Sequence, residues 1–124
     1  MMAQPIFLCR SEALVDGGLA VCFDVSCGAE SQPAFAVRYG GQVHAYLNRC
    51  THVPMTMDFL PGQFFDSTGQ WLICATHGAL FEPETGRCRG GPCRGSLLKI
   101  ALHEADGAVY WHTSEHVQPL FPDT

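Results

Sequence analysis

The stretch Val43–Leu47 running into Cys50-Thr51-His52, and the stretch Trp71–Ile73 running into Cys74-Ala75-Thr76-His77, together decide the fold of this chain. In each stretch a short run of apolar and aromatic residues, which predicts a β-strand, leads into a cysteine and a histidine within one turn of chain. Loops that leave the same end of a sheet can bring their side chains together. The sequence therefore predicts a β scaffold that presents two Cys–His pairs at one tip.

The same alternation of short apolar runs with Gly, Pro, Asn, Asp and Ser continues along the chain, and no segment keeps a helical period over three turns. Gly40-Gly41 and Asp106-Gly107 fit tight hairpin turns, and Glu82–Gly86 fits a further turn with its Pro and Gly. We expect an all-β fold, either an antiparallel β-sandwich or a small barrel. The predicted strands are Ile6–Cys9, Leu19–Val25, Ala34–Tyr39, Val43–Leu47, Trp71–Cys74, Leu97–Leu102 and Ala108–His112.

The length of 124 residues predicts a single domain, 1–124, that is large enough to bury a core. We place that core at about residues 6–112. Residues 113–124, which include Pro119 and Pro122, are expected to form a loose C-terminal extension.

Composition excludes several classes of function. Hydrophobic residues make up 47% and charged residues 15% of the chain, which indicates an ordered globule. The net charge of −5, without a basic stripe, argues against nucleic acid as a partner. No apolar run is long enough to span a membrane, and the first ten residues have no cationic start typical of a signal peptide. A cytoplasmic protein that does not bind membranes is expected.

The donor set of two thiolates and two imidazoles suits iron or zinc rather than a hard cation. A structural Cys2His2 zinc site usually pairs its thiols in one loop and its imidazoles in the other. Here each loop carries one Cys and one His, which favours a [2Fe–2S] cluster with two thiolates on one iron and two imidazoles on the other. Zinc remains the alternative.

The two boxes, Cys50-Thr51-His52 and Cys74–Gly78, resemble the cluster-binding boxes of the Rieske family. The resemblance continues through Phe81, the Glu84–Gly86 turn and Gly91-Pro92, and it covers roughly residues 34–112. It implies an antiparallel β-sandwich with a small cluster-binding subdomain at one tip and one [2Fe–2S] cluster per chain. It also implies Cys50 and Cys74 as ligands of the inner iron and His52 and His77 as ligands of the outer iron. Gly91-Pro92 would be the loop that covers the cluster.

Departures from the respiratory-chain members of that family indicate the type of cluster. The positions of their disulfide-forming cysteines are occupied by Met55 and Thr76, and the positions of their Ser and Tyr hydroxyls by Ala79 and Phe81. Hydrogen bonds to cluster sulfur raise the reduction potential. Without those two hydroxyls we expect a ferredoxin-type cluster near the low end of the Rieske range, roughly −150 mV, and in any case below about −50 mV.

Around the predicted cluster the sequence suggests an environment for electron transfer. The outer imidazoles would be the exit for electrons, and reduction should raise their affinity for a proton. Apolar residues around the predicted cluster would form a collar. This collar would be either a docking face for redox partners or ordinary packing of the loops. Its members would be Val53, Pro54, Met55, Met57, Leu80 and Pro92. These residues, with Gly78, Ala79, Phe81 and Gly91, are the candidate surroundings of the cluster.

Four of the seven basic residues lie in or beside the predicted cluster loops: Arg49, Arg87, Arg89 and Arg94. They would either steer an acidic partner towards the cluster or form salt bridges with neighbouring carboxylates. Cys88 and Cys93 flank the covering loop. A cytoplasmic setting predicts that they are free thiols rather than a disulfide.

No nucleophile–base pair, phosphate loop or dinucleotide fingerprint is present, so a non-catalytic component of an oxidoreductase system is expected. The resemblance implies a low-potential ferredoxin that passes single electrons from a flavin reductase to an oxygenase or a similar terminal enzyme. The first alternative is a Rieske-like small subunit of a larger reductase of the nitrite-reductase type. The second is a zinc-stabilised or redox-sensing interaction module.

Overall fold

Short antiparallel strands account for most of the regular structure. The structure is a computed structural model that describes residues 5–27, 30–49, 57–58, 62–74, 78–91, 95–114 and 117–119. The strands are β1 (Pro5–Arg10), β2 (Val21–Cys27), β3 (Glu30–Tyr39), β4 (Gln42–Leu47), β5 (Leu72–Ile73), β6 (Leu80–Phe81), β7 (Cys88–Gly90), β8 (Lys99–Ile100), β9 (Leu102–Ala105) and β10 (Ala108–His112). The one helical element among the described residues is a 3-10 turn, Ser11–Ala13.

The strands form three sheets, with the orders β1-β10-β9, β2-β3-β4-β8 and β5-β6-β7. All paired strands within them are antiparallel. The predicted all-β, antiparallel fold is therefore confirmed. None of the described residues forms a helix that is long and apolar enough to cross a membrane.

Both hairpins predicted from glycine-containing dipeptides are present. Gly40 and Gly41 have φ angles of +61° and +83° between β3 and β4, and Asp106 and Gly107 have φ angles of +54° and +76° between β9 and β10. Two successive residues with positive φ match the twist of the flanking strands, as in a type I′ turn. These turns fix the register of their hairpins, with Tyr39 opposite Gln42 and Ala105 opposite Ala108.

Strand β3 divides the hydrophobic interior into two cores, because its side chains point alternately to opposite faces. Ala34 and Ala36 face one core, whereas Phe35 and Val37 face the other, and all four are fully buried. We call the first the body core: Leu14, Val25, Ala34, Ala36, Ala45, Ile100, Val109, Trp111 and Val117. We call the second the site core: Phe35, Val37, Tyr46, Met57, Phe64, Leu72, Cys74, Ala79, Phe81 and Leu97.

The segment predicted as one strand, Leu97–Leu102, is two strands. β8 pairs with β4 in the four-stranded sheet, whereas β9 pairs with β10 in another sheet. The chain therefore changes pairing partner between Ile100 and Leu102. Strands β6 and β7 were not predicted, because two or three residues are too few to show an alternating pattern.

The expectation of a loose segment after His112 is wrong for the part that the structure describes. Thr113 and Val117 are buried, and Val117 packs in the body core. Ser26 and Gln118 exchange two backbone hydrogen bonds of 2.6 and 2.9 Å, which attaches this segment to the end of β2. Burial of an apolar side chain outweighs the turn-forming tendency of the neighbouring prolines here.

Candidate metal centre

Cys74 is the one predicted ligand among the described residues, and it follows β5 directly. Its side chain is fully buried in the site core, and its thiol is not part of a disulfide. The Cys74 N–H donates to the Ala79 carbonyl, and the Gly78 N–H donates to the Cys74 carbonyl, both at 2.8 Å. These two bonds close the base of the loop that carries residues 75–77. The second box is thus held by backbone contacts on both sides.

Gly91 brings the predicted covering loop into contact with the second box. Its φ is +82°, and a Cβ at this position would lie 2.9 Å from Ala79 Cα and 3.1 Å from the Gly78 carbonyl oxygen. Real Cβ atoms do not approach that closely, so only glycine fits. The covering loop therefore begins directly against the end of the box.

The first box is bracketed by a polar network that the sequence analysis missed. Asn48, which is 5% exposed, lies two residues before the box and accepts a 2.7 Å hydrogen bond from the Met57 N–H. Its amide donates to an Asp58 carboxylate oxygen at 2.9 Å, and the Gly62 N–H donates to the other oxygen at 3.1 Å. Asn48 therefore joins the two ends of the loop that carries residues 50–56. The sequence signal was an asparagine directly after a strand, a position that favours side-chain bonds to nearby backbone.

Tyr46 secures the predicted turn Glu82–Gly86. Its hydroxyl donates to the Pro83 carbonyl at 2.7 Å, and burial raises the pKa of that phenol. The turn is closed by the Gly86 N–H, which donates to the Glu82 carbonyl at 2.8 Å. Gly86 has a φ of +77°, and a Cβ there would lie 2.7 Å from the Tyr46 ring. The turn that leads to β7 and the covering loop is thus packed against a buried ring.

The other predicted site residues divide into two groups. Cys50, His52, Pro54, Met55, His77 and Pro92 lie outside the described residues. Gly78, Ala79, Phe81 and Gly91 are described, and Ala79 and Phe81 are fully buried. Met57 is fully buried in the site core as well, which agrees with ordinary loop packing rather than a docking face for this member of the collar.

Four arginines were predicted near the cluster, either to steer an acidic partner or to form salt bridges with neighbouring carboxylates. Arg89 forms such a salt bridge, with Glu82 at 3.2 Å. Arg49 and Arg87 are exposed, and neither forms an ion pair with another described residue. Arg94 lies outside the described residues. The described part of this region therefore contains two cations that remain available to a partner.

The expectation that Cys88 is a free thiol is wrong, because Cys88 is disulfide-bonded. The other half of this disulfide lies outside the described residues, since Cys9, Cys22, Cys27 and Cys74 form no disulfide. The expectation rested on the redox state of a presumed compartment. The proximity of two thiols, which the fold determines, decides whether a disulfide can form.

The chemistry and packing of the described residues fit an iron–sulfur centre. A buried thiol that forms no disulfide, at the start of a closed loop, is a soft ligand that suits iron or zinc. The flanks of both boxes, Met57 on one side and Cys74 with Ala79 on the other, pack in the same site core. The segments that flank the two boxes are therefore brought together by a shared set of apolar contacts.

These features define a small antiparallel β protein in which the flanks of the two Cys–His boxes pack in one core. The sequence model of the Rieske [2Fe-2S] domain matches residues 2–106, so the chain belongs to the Rieske [2Fe-2S] domain family. The cofactor of this family is a [2Fe-2S] cluster, which removes the support for the zinc alternative. No curated protein matches the chain.

Solved structures share this fold. The ferredoxin of carbazole 1,9a-dioxygenase from Nocardioides aromaticivorans IC177 superposes with a TM-score of 0.68 at 20% identity, covering 94% of this chain and 98% of its own. The Sphingomonas yanoikuyae B1 ferredoxin gives a TM-score of 0.68 at 21% identity, with coverages of 90% and 100%. A chain from a complex of reduced oxygenase and oxidized ferredoxin in carbazole 1,9a-dioxygenase gives a TM-score of 0.67 at 22% identity. The superposition covers 86% of this chain and 91% of the other.

Proposed function

We propose that this chain is a low-potential Rieske ferredoxin that carries single electrons from a reductase to an oxygenase or a similar terminal enzyme. The observation that carries the proposal is that the chain superposes on two ferredoxins over almost their whole length. The superposition covers 98% of one ferredoxin chain and 100% of the other. A related structure, named as an oxygenase–ferredoxin complex, supports an oxygenase as the class of acceptor. The protein itself would be a non-catalytic component of such a system.

The proposed ligands are Cys50 and Cys74 for the inner iron and His52 and His77 for the outer iron. When bound, the [2Fe-2S] cluster takes up and returns one electron. The chain's own residues would keep water from its inner side, because Cys74, Ala79 and Phe81 are fully buried. Neither Ala79 nor Phe81 has a hydroxyl to donate to cluster sulfur, which supports a low potential.

The exposed cations beside the boxes support contact with an acidic partner surface. Arg49 and Arg87 lie on segments next to the two loops and are free of ion pairs with described residues. In a chain of net charge −5 they would orient the cluster end towards negative charge. A cytoplasmic location is part of the proposal.

The ligand assignment is tested by comparing two cysteine variants. Cys74→Ser should abolish the visible absorption and the reduced-state EPR signal of the cluster, because a buried thiolate ligand is lost. Cys27→Ser is the matched control, since Cys27 forms no disulfide and packs beside the body core rather than the site core. Iron and sulfide content should fall in the first variant only. Equal cluster content in both variants would overturn the assignment of Cys74.

The carrier role is tested by potential and by turnover. The potential should lie below about −50 mV, and a value above about +100 mV would contradict the low-potential class. The purified protein should restore electron flow between a ferredoxin reductase and an oxygenase when it is added as a separate component. Recovery only in a tight complex with a larger reductase would favour the alternative of a reductase subunit.

A further inference from the structure

A pair of histidines lies on the sheet β1-β10-β9, which is not the sheet that leads into Cys74. His103 Nδ1 and His112 Nε2 are 2.6 Å apart. His103 lies opposite Tyr110 in the β9–β10 register, and His112 is two residues further along β10. Both imidazoles therefore project from the same face of the sheet. We propose that His103 and His112 form a two-nitrogen site for a borderline divalent transition-metal ion such as Ni²⁺, Cu²⁺ or Zn²⁺.

The geometry of the pair is close to that of two ligands on one ion. With metal–nitrogen bonds of about 2.0–2.1 Å, neighbouring ligand nitrogens are about 2.9–3.4 Å apart. The two nitrogens, now 2.6 Å apart, would have to separate by about 0.3–0.8 Å. Each neutral imidazole can carry its proton on its other nitrogen, so both facing nitrogens can act as ligands at once.

One ring of the pair is already oriented by its neighbours. The His103 ring stacks on Tyr110, with centroids 5.0 Å apart and planes 17° from parallel. Tyr110 in turn meets the exposed Phe7 edge-on at 6.0 Å. This aromatic row limits the rotation of His103, so less side-chain entropy is lost when a metal binds.

An ion can reach the site without unfolding the protein. His103 is exposed, and the half-buried His112 also lines a cavity of about 400 Å³ together with Lys99, Thr113 and Ser114. Water can therefore complete the coordination. Among the described residues no third His, Cys, Asp or Glu joins the pair, which predicts moderate affinity.

The neighbouring charges leave the pair accessible to a cation. The Lys99 ammonium donates to the Glu84 carbonyl and lies 5.5 Å from the Tyr46 ring centroid, so it is engaged away from the imidazoles. Glu104, next to His103 in sequence, points to the opposite face and is paired with Arg38. The overall charge of −5 favours the approach of a cation.

The test is a calorimetric titration of Ni²⁺ into the cluster-loaded protein, from which any histidine tag has been removed. The cluster absorption is followed in parallel to verify that the [2Fe-2S] centre stays intact. We expect one Ni²⁺ per chain, no binding of Mg²⁺, and release of Ni²⁺ at low pH because imidazolium cannot act as a ligand.

Variants assign the site. His103→Gln and His112→Gln should each weaken Ni²⁺ binding by at least roughly tenfold, as loss of even an outer hydrogen-bond partner of a metal ligand costs that much. His44→Gln, which changes a half-buried histidine on β4, is the control and should bind as the wild type does. Unaltered affinity in both pair variants, or no Ni²⁺ binding by the wild type, would overturn the proposal.

Discussion

The two cores on either face of β3 are built in different ways. The body core is enclosed by longer strand ladders, such as the seven-pair register of β2 with β3 and the five-pair register of β1 with β10, which shifts once between Phe7 and Cys9. The site core is enclosed by the short strands β5, β6 and β7, which have two or three residues each. Its shape depends on individual contacts of Tyr46, Asn48, Gly86 and Gly91. Single substitutions should therefore damage the site core more than the body core.

The largest expected effect is that of Gly86→Ala. The positive φ of Gly86 costs about 1–2 kcal/mol for any residue with a Cβ, and the clash with the Tyr46 ring adds about 1–3 kcal/mol. Together these predict that the free energy of unfolding falls by about 2–5 kcal/mol, as measured by chemical denaturation. Cluster absorption is the second measurement. Cluster retention should fall, because the turn leads to β7 and the covering loop.

Gly40→Ala is the matched control for this substitution. Gly40 also has a positive φ, +61°, but nothing lies within 4 Å of a Cβ built there. It should therefore show only the conformational cost of about 1–2 kcal/mol, with the cluster unaffected. Equal losses in the two variants would mean that contact with Tyr46 adds nothing, and the proposed difference between the two cores would be wrong.

The second prediction concerns the base of the first box. Asn48→Ala leaves the buried Met57 N–H without its acceptor and removes a hydrogen bond to the Asp58 carboxylate. The free energy of unfolding should fall by about 2–3 kcal/mol, and iron and sulfide should be incorporated more slowly. Both can be measured on the same reconstituted preparations.

A double-mutant cycle separates the two contacts of Asn48. Combined with Asp58→Ala, Asn48→Ala should cost less than the sum of the single variants by at least about 0.5 kcal/mol, because the residues share a hydrogen bond. Additive losses would indicate that the Asn48–Asp58 hydrogen bond contributes nothing, and Asn48 would then join the ends of the loop through the Met57 N–H bond alone.

What the sequence could and could not predict follows the same division. The hairpins of the body were predictable, because Gly40-Gly41 and Asp106-Gly107 are local determinants that act between neighbouring strands. The Cys–His boxes identified the family, because ligand type and spacing are also local. The contacts of the site core were not predictable. Gly91 against Ala79 and Asn48 with Asp58 depend on how loops meet in three dimensions. Their residue types alone fit many ordinary turns.

The third prediction concerns the disulfide of Cys88. Cys93 is its expected partner, because the other described cysteines form no disulfide and Cys50 is the proposed iron ligand. In the chain-entropy model, a disulfide that closes so short a loop stabilises the folded state by about 2 kcal/mol. Cys93→Ser should lower stability by that amount and leave cluster content unchanged. Peptide mapping that joins Cys88 to Cys50 instead would contradict the ligand assignment.

The smallest expected effect lies in the body, at the bidentate pair of Arg38 and Glu104, with nitrogen–oxygen distances of 2.6 and 3.0 Å. The hydrogen bonds from Arg38 lower the pKa of Glu104 to about 2. A carboxylate with a lowered pKa stabilises the folded state above its unfolded pKa of about 4.3, and that contribution is lost as the pH falls towards 2. Because both side chains are partly exposed, Glu104→Gln should cost only about 1–2 kcal/mol at neutral pH.

This effect distinguishes the body from the site by its pH dependence. In Glu104→Gln the part of the acid destabilisation between about pH 4.3 and 2 that belongs to this carboxylate should disappear, while cluster absorption at neutral pH stays the same. Glu12→Gln is the control, because its ion pair with Arg10 is 3.5 Å long and both side chains are largely exposed. That variant should unfold like the wild type at every pH. A loss of cluster in Glu104→Gln would show that the body controls the site more directly than two separate cores allow.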